Sequence, residues 1–103
     1  MDAQIYAFDF DGTLCEDRYP EIGSPRAATI SYALQLKEQG HHLILWTCRA
    51  GEYLDRAVEW CEHYGLTFDA VNENLPETVQ KYGNDSRKIT ADYYVDDRSL
   101  MPA

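Results

Sequence analysis

Short apolar runs alternate along this chain with longer segments of helical periodicity. Four runs read as strands, at Gln4 to Phe8, His42 to Trp46, Phe68 to Val71 and Tyr93 to Val95. The run from His42 to Trp46 is nearly continuous, which is typical of a strand that is covered on both faces in a parallel sheet. The pattern therefore predicts an α/β fold around a parallel sheet.

Helical signals fill the gaps between these strands. The first predicted helix covers 25 to 39, with Ser24 as its N-cap, Pro25 at the first helical position and Gly40 as its end. A second helix runs from Gly51 to Tyr64 and a third, ragged one from Asn74 to Tyr82. The segment from Cys15 to Gly23 is polar, and we expect it to be a loop.

Composition narrows the class of protein. A length of 103 residues predicts one domain over 1–103, and 45% hydrophobic residues are enough to fill a core. The net charge of −9 argues against general affinity for nucleic acid or anionic membranes. Three cysteines without paired spacing, and no apolar run long enough to span a bilayer, predict a cytoplasmic protein that is not embedded in a membrane.

Polar side chains follow three of the predicted strands directly. Asp9 and Asp11 follow the first strand, Thr47 follows the second, and Asp96 and Asp97 follow the last. Ligands of open α/β sheets bind beyond the carboxyl ends of the strands, so we expect these groups to share one cleft. Carboxylate oxygens are hard ligands, and the pair of carboxylates after the first strand therefore suggests a Mg²⁺ site.

These motifs resemble those of the haloacid dehalogenase superfamily, in particular its small phosphatases without a cap domain. Asp9 to Leu14 is similar to the first motif, Leu43 to Thr47 to the second, Lys88 to the third and Val95 to Asp97 to the fourth. The resemblance spans nearly the whole chain. It implies a three-layer Rossmann-like sandwich with a central parallel sheet and no cap, and a Mg²⁺-dependent phosphate monoester hydrolase.

The resemblance also implies catalytic roles. Asp9 would attack phosphorus and form an aspartyl-phosphate, while Asp11 would protonate the leaving oxygen and later activate water. Thr47 would bind a phosphate oxygen, and Lys88 would neutralise charge on the transferred group, although Arg87 could take that place.

The resemblance also implies which groups would bind the metal ion and the phosphate. Mg²⁺ would be held by Asp9, the backbone carbonyl of Asp11 and a carboxylate of the fourth motif, with Asp97 as the first choice and Asp96 in support. Backbone N–H groups around Phe10 to Gly12 would add phosphate donors. Arg49 either lines the cleft, where it would bind phosphate, or caps the helix that follows.

Two other classes of phosphate-handling enzyme do not fit the sequence. A cysteine phosphatase and a P-loop kinase are excluded, because neither the Cys and Arg spacing nor the Gly-rich loop is present. The alternative is a catalytically silent or phospho-accepting binding or regulatory domain. Its acidic Mg²⁺ site would resemble that of the haloacid dehalogenase superfamily or that of receiver domains. The phosphorylated substrate stays open between a small molecule and a macromolecule, and a second copy of the chain could close the uncapped cleft.

Overall fold

The computed structural model describes residues 3–82 and 91–96, and a parallel four-stranded sheet lies at its centre. The strands run in the order β5-β4-β1-β6, and a separate antiparallel hairpin is formed by β2 and β3. The strands are β1 Ile5–Phe8, β2 Cys15–Arg18, β3 Glu21–Pro25, β4 His42–Leu45, β5 Ala70–Val71 and β6 Tyr93–Val95. The helices are α1 Ala27–Glu38, α2 Gly51–His63 and α3 Pro76–Tyr82.

The sheet separates two groups of buried side chains, because neighbouring residues of a strand point to opposite faces. Phe8, Leu43 and Leu45 pack on one face with the buried side chains of α1 and α2. Ala7 and Ile44 pack on the other face with side chains of the segment before α3. Layers on both sides of a parallel sheet confirm the predicted three-layer α/β architecture.

The strand register brings the carboxyl ends of the central strands to one level. Phe8 pairs with Leu45 of β4 on one side and with Val95 of β6 on the other. The backbone hydrogen bonds continue one step further, from Asp9 N to the Val95 oxygen at 2.9 Å and from Trp46 N to the Phe8 oxygen at 2.8 Å. Side chains that follow these strands are therefore collected at one edge of the sheet.

The prediction of a polar loop at Cys15 to Gly23 is wrong, since this segment forms most of the β2–β3 hairpin. The predicted start of the first helix is wrong as well. Pro25 pairs with Cys15 as the last residue of β3, and Arg26 is the N-cap, without a side-chain cap bond. An edge strand accepts proline because no neighbour needs its missing N–H.

The other predicted elements are present: β6 has the predicted bounds, and the rest are shorter than predicted. The third strand contains only Ala70–Val71 of the four residues expected, and the third helix begins at Pro76 instead of Asn74. Within residues 3–82 and 91–96, the hairpin is the one insertion beside the sheet and its helices, and no cap is evident. None of the described helices is long and apolar enough to cross a bilayer.

Candidate active site

A cavity of about 450 Å³ opens where β1, β4 and β6 end. Five of the side chains predicted from the sequence meet there, together with three others from the hairpin and the β4–α2 loop. The lining residues are Asp9, Asp11, Asp17, Tyr19, Thr47, Cys48, Arg49 and Asp96. The expectation that groups distant in the sequence share one cleft is confirmed for these residues.

Asp9 and Asp96 lie side by side at the ends of adjacent strands. Each is the first residue after its strand, and the two strands are paired up to Phe8 and Val95. Parallel strands lie about 4.8 Å apart, so the two carboxylates leave the backbone as near neighbours. Both are partly exposed and line the cavity. Two negative charges in this arrangement favour a cation between them.

The loop after β1 turns tightly beneath the cavity. Gly12 has a φ of 85°, a left-handed conformation that glycine adopts without steric cost. Its N–H donates to the Cys15 carbonyl at 2.8 Å, while the N–H groups of Thr13 and Leu14 donate to the Phe10 carbonyl. The Gly12 N–H is thus used within the loop, and its predicted contact with phosphate would require this bond to be exchanged.

Asp11 forms a two-pronged ion pair with Arg49. Arg49 Nε donates to Asp11 Oδ2 and Arg49 Nη2 to Asp11 Oδ1, both at 2.8 Å. The Arg49 side chain is only 1% exposed and that of Asp11 17% exposed, so the pair is largely withdrawn from solvent. The hydrogen bonds to Asp11 raise the pKa of Arg49 above its ordinary value, although burial acts in the opposite direction.

The remaining donors of Arg49 reach backbone carbonyls. Nη2 also donates to the Glu21 oxygen at 2.9 Å, and Nη1 donates to the oxygens of Pro20 and Tyr53 at 3.2 and 3.4 Å. A guanidinium has five N–H groups, and all five of Arg49 have an acceptor here. Arg49 lines the cavity as one interpretation expected, but its donors are directed to protein oxygens. Direct phosphate binding by this side chain would require one of these bonds to be exchanged.

Thr47 is held in place by its neighbours in the β4–α2 loop and by Asn72. The Arg49 backbone N–H donates to Thr47 Oγ1 at 3.2 Å, and the Thr47 N–H donates to Asn72 Oδ1 at 2.7 Å. Asn72 Nδ2 donates to the Arg49 carbonyl at 3.3 Å. The Thr47 hydroxyl accepts a bond through a lone pair, so its hydrogen can be directed to a phosphate oxygen.

Asn72, Asp17, Tyr19 and Cys48 were not singled out from the sequence. Asn72 follows β5 directly, as Asp9 follows β1, and this position after a strand is the signal that could have identified it. Asp17 and Tyr19 reach the cavity only because their segment folds into a hairpin. A polar segment of this kind carries no periodic signal that places it beside a site.

The thiol of Cys15 lies under the same loop. It is buried, and its Sγ is 3.9 Å from the Phe10 carbonyl oxygen. Burial raises the pKa of Cys15 above the ordinary value, which keeps the thiol in its neutral, unreactive form near neutral pH. Cys15 is therefore not a candidate nucleophile.

Three predicted site residues, Lys88, its alternative Arg87, and Asp97, lie outside the described residues. Among the residues that the structure describes, no group of three or more His, Cys, Asp or Glu side chains is arranged to hold a metal ion. Asp96, which was predicted as the supporting ligand, lines the cavity with Asp9.

Comparison with known proteins shows that this chain is similar to a solved structure. No protein-family model matches it, and comparison with the curated proteins gives no match. A conserved protein from Bacteroides thetaiotaomicron is similar in structure, with a TM-score of 0.85 and 43% sequence identity. The alignment covers 99% of this chain and 84% of that one. At this identity and coverage, the chain belongs to the same family as the conserved Bacteroides thetaiotaomicron protein.

Proposed function

We propose that this chain is a Mg²⁺-dependent phosphate monoester hydrolase of the cytoplasm that works through an aspartyl-phosphate on Asp9. The observation that supports the proposal best is the shared cavity: Asp9 and Asp11 follow β1, Thr47 follows β4 and Asp96 follows β6, and all four line one opening. This is the set of groups that phosphoryl transfer to a carboxylate requires, namely a nucleophile, a proton carrier, a hydrogen-bond donor and a second carboxylate.

The reaction proceeds in two displacements. An Asp9 carboxylate oxygen attacks phosphorus, the bond from phosphorus to the ester oxygen breaks, and the leaving oxygen takes a proton from Asp11. Water then attacks the phosphorus of the aspartyl-phosphate and gives a proton to the Asp11 carboxylate. The bond between phosphorus and the Asp9 oxygen breaks, which releases inorganic phosphate and restores both carboxyl groups.

The ion pair with Arg49 fits one of these steps directly. In the arrangement of the structure Asp11 is the carboxylate partner of a pair, and a carboxylate is the form that accepts a proton from water. Donation to the leaving oxygen requires that Asp11 first takes up a proton. The same side chain can serve both displacements only if the proton that it receives in one turnover is used in the next.

The donor set suits Mg²⁺. This ion is usually held in proteins by one or two carboxylates, with water and substrate phosphate completing its octahedron, so a cluster of three acidic side chains is not required. Asp9 and Asp96 supply two carboxylates in the cavity, and the Asp11 backbone carbonyl and Asp97 are the other proposed ligands. When bound, the ion would offset the negative charge of the phosphoryl group and of Asp9.

Phosphate oxygens would also be bound by protein donors. The Thr47 hydroxyl is in the cavity and anchored through its backbone, which fixes the direction from which it can donate. Lys88, or Arg87 in its place, would neutralise charge on the transferred group and on Asp9. The acidic lining, including Asp17, disfavours leaving groups that carry further negative charge, and the open cleft accepts a phosphorylated small molecule or macromolecule.

Hydrolysis of 4-nitrophenyl phosphate tests the proposal. We expect turnover by the wild type in Mg²⁺, none with chelator, and a loss of at least about 10³-fold in Asp9→Asn, since the amide removes the nucleophile. Asp55→Asn is the matched control, because it makes the same change on the exposed side of α2 and should leave the rate unchanged.

Two results would contradict the proposal. Wild-type rates in Asp9→Asn would show that Asp9 is not the nucleophile. A phosphorylated Asp9 that persists for hours without releasing phosphate would instead favour a phospho-accepting regulatory domain.

A further inference from the structure

We infer that Arg49 is a positioning residue that holds Asp11 and the β2–β3 hairpin in one fixed arrangement at the mouth of the cavity. The inference rests on the proposed function, because Asp11 matters only if a proton is handled there. It assigns Arg49 a role other than phosphate binding, and it makes the hairpin part of the active site.

The geometry of the pair fixes the orientation of Asp11. Two parallel bonds, Nε to Oδ2 and Nη2 to Oδ1, each 2.8 Å long, set the plane of the carboxyl group as well as its position. A single bond would leave the group free to rotate. A lysine could not reproduce this arrangement, because its ammonium is a point charge without the planar fork.

The hairpin is held by the same guanidinium. The carbonyls of Pro20 in its turn and of Glu21, the first residue of β3, accept bonds from Nη1 and Nη2 at 3.2 and 2.9 Å. The guanidinium carbon also lies 5.1 Å from the ring centroids of Phe10 and Tyr19, one on the β1 loop and one on the hairpin. Arg49 is therefore in contact with two of the segments that carry cavity side chains, with Asp11 on the β1 loop and Tyr19 on the hairpin.

A purely structural ion pair would not need this arrangement. Replacing a buried pair by apolar side chains is often neutral for stability, so burial alone does not explain why four of the five donor groups of Arg49 are directed to Asp11 and the hairpin. Positioning does explain it, since a displacement of about 1 Å at a reacting group can lower a rate by about 10²-fold.

Arg49→Lys separates positioning from stability through two substrates of similar shape. Phenyl phosphate has a basic leaving group that needs a proton, whereas 4-nitrophenyl phosphate has a leaving group that departs without one. The value of kcat/KM reports steps up to the first release of alcohol. We expect it to fall by about 10- to 100-fold for phenyl phosphate and by less than about 3-fold for 4-nitrophenyl phosphate.

Asp11→Asn and the double variant Asp11→Asn with Arg49→Lys test whether Arg49 acts through Asp11. If Arg49 acts through Asp11, Asp11→Asn shows the same dependence on the leaving group, and adding Arg49→Lys to it lowers kcat/KM no further. Equal losses on both substrates, or additive losses in the double variant, would overturn the inference. Circular dichroism and the melting temperature establish that each variant is folded before rates are compared.

Hydrogen exchange gives a readout that does not depend on turnover. In Arg49→Lys the backbone amides of residues 15–25 should exchange faster than in the wild type, while those of β4 keep their rates. Absence of turnover by the wild type on both substrates would contradict the proposed function, and the exchange data would then decide the role of Arg49. Unchanged exchange in the hairpin would overturn that role as well.

Discussion

Asn72 shows how one side chain can support a site without lining it. It stands just after β5 with a φ of 53°, a left-handed conformation that asparagine tolerates better than most residues. Its side chain accepts from the Thr47 N–H and donates to the Arg49 carbonyl, so it fixes the loop that carries both residues. The backbone conformation and the two hydrogen bonds are separate contributions, and substitution can separate them.

Asn72→Ala and Asn72→Gly should both lose these hydrogen bonds, but only alanine keeps a Cβ in the left-handed conformation. We therefore expect the alanine variant to be less stable than the glycine variant by about 1 kcal/mol. Urea denaturation at 25 °C measures the difference, and kcat/KM should fall about 10-fold in both variants because Thr47 loses its anchor. Equal stabilities would show that the conformation at position 72 is not strained by a Cβ.

The β2–β3 hairpin is the element that distinguishes the site from a bare strand-end cleft. It places Asp17 and Tyr19 at the cavity and supplies the carbonyls that Arg49 binds. Its two strands approach closely at Gly23, where a Cβ would overlap the carbonyl oxygen of Glu16. Because that neighbour is backbone, a larger side chain at position 23 would displace the strand itself.

Gly23→Ala should therefore destabilise the protein by about 1–3 kcal/mol and lower activity, since the hairpin would shift away from Arg49. Ser24→Ala is the matched control at the neighbouring position, because the Ser24 side chain is exposed and the removal of its hydroxyl adds no volume. Urea denaturation measures the loss of stability, and hydrolysis of phenyl phosphate, whose leaving group needs a proton, measures the loss of activity. A Gly23→Ala protein with the stability and rate of Ser24→Ala would contradict this account of the hairpin.

The hairpin also shows why sequence patterns predicted some elements and not others. The strands of the sheet are buried and therefore apolar, so their runs are visible in the sequence, as at His42–Leu45. The strands of the hairpin are mostly exposed and polar, and their support includes a guanidinium from a distant loop. Ser24 and Pro25 are as compatible with the end of a strand as with the start of a helix. Only the pairing of Pro25 with Cys15 shows that they end a strand.

At the scale of the whole molecule, the parallel register assembles the site. Asp9, Thr47 and Asp96 could be predicted to share a cavity, because parallel strands end at one edge and each residue follows its strand closely. The pairing of Asp11 with Arg49 could not be predicted, since 38 residues separate them and the bond depends on the path of the β4–α2 loop. General rules of topology thus predicted where the cavity lies but not how Asp11 is held.

Chemical trapping of the phosphoenzyme tests the central claim, phosphoryl transfer to Asp9, most directly. Asp11→Asn lacks the group that activates water, so incubation with Mg²⁺ and 4-nitrophenyl phosphate followed by acid quench should leave a phosphoryl group on the protein. Peptide mass spectrometry should find it on Asp9, removable by hydroxylamine as an acyl phosphate, and absent from the double variant with Asp9→Asn. Folded Asp11→Asn that releases nitrophenol but carries no phosphate on Asp9, or carries it on another residue, would contradict the account.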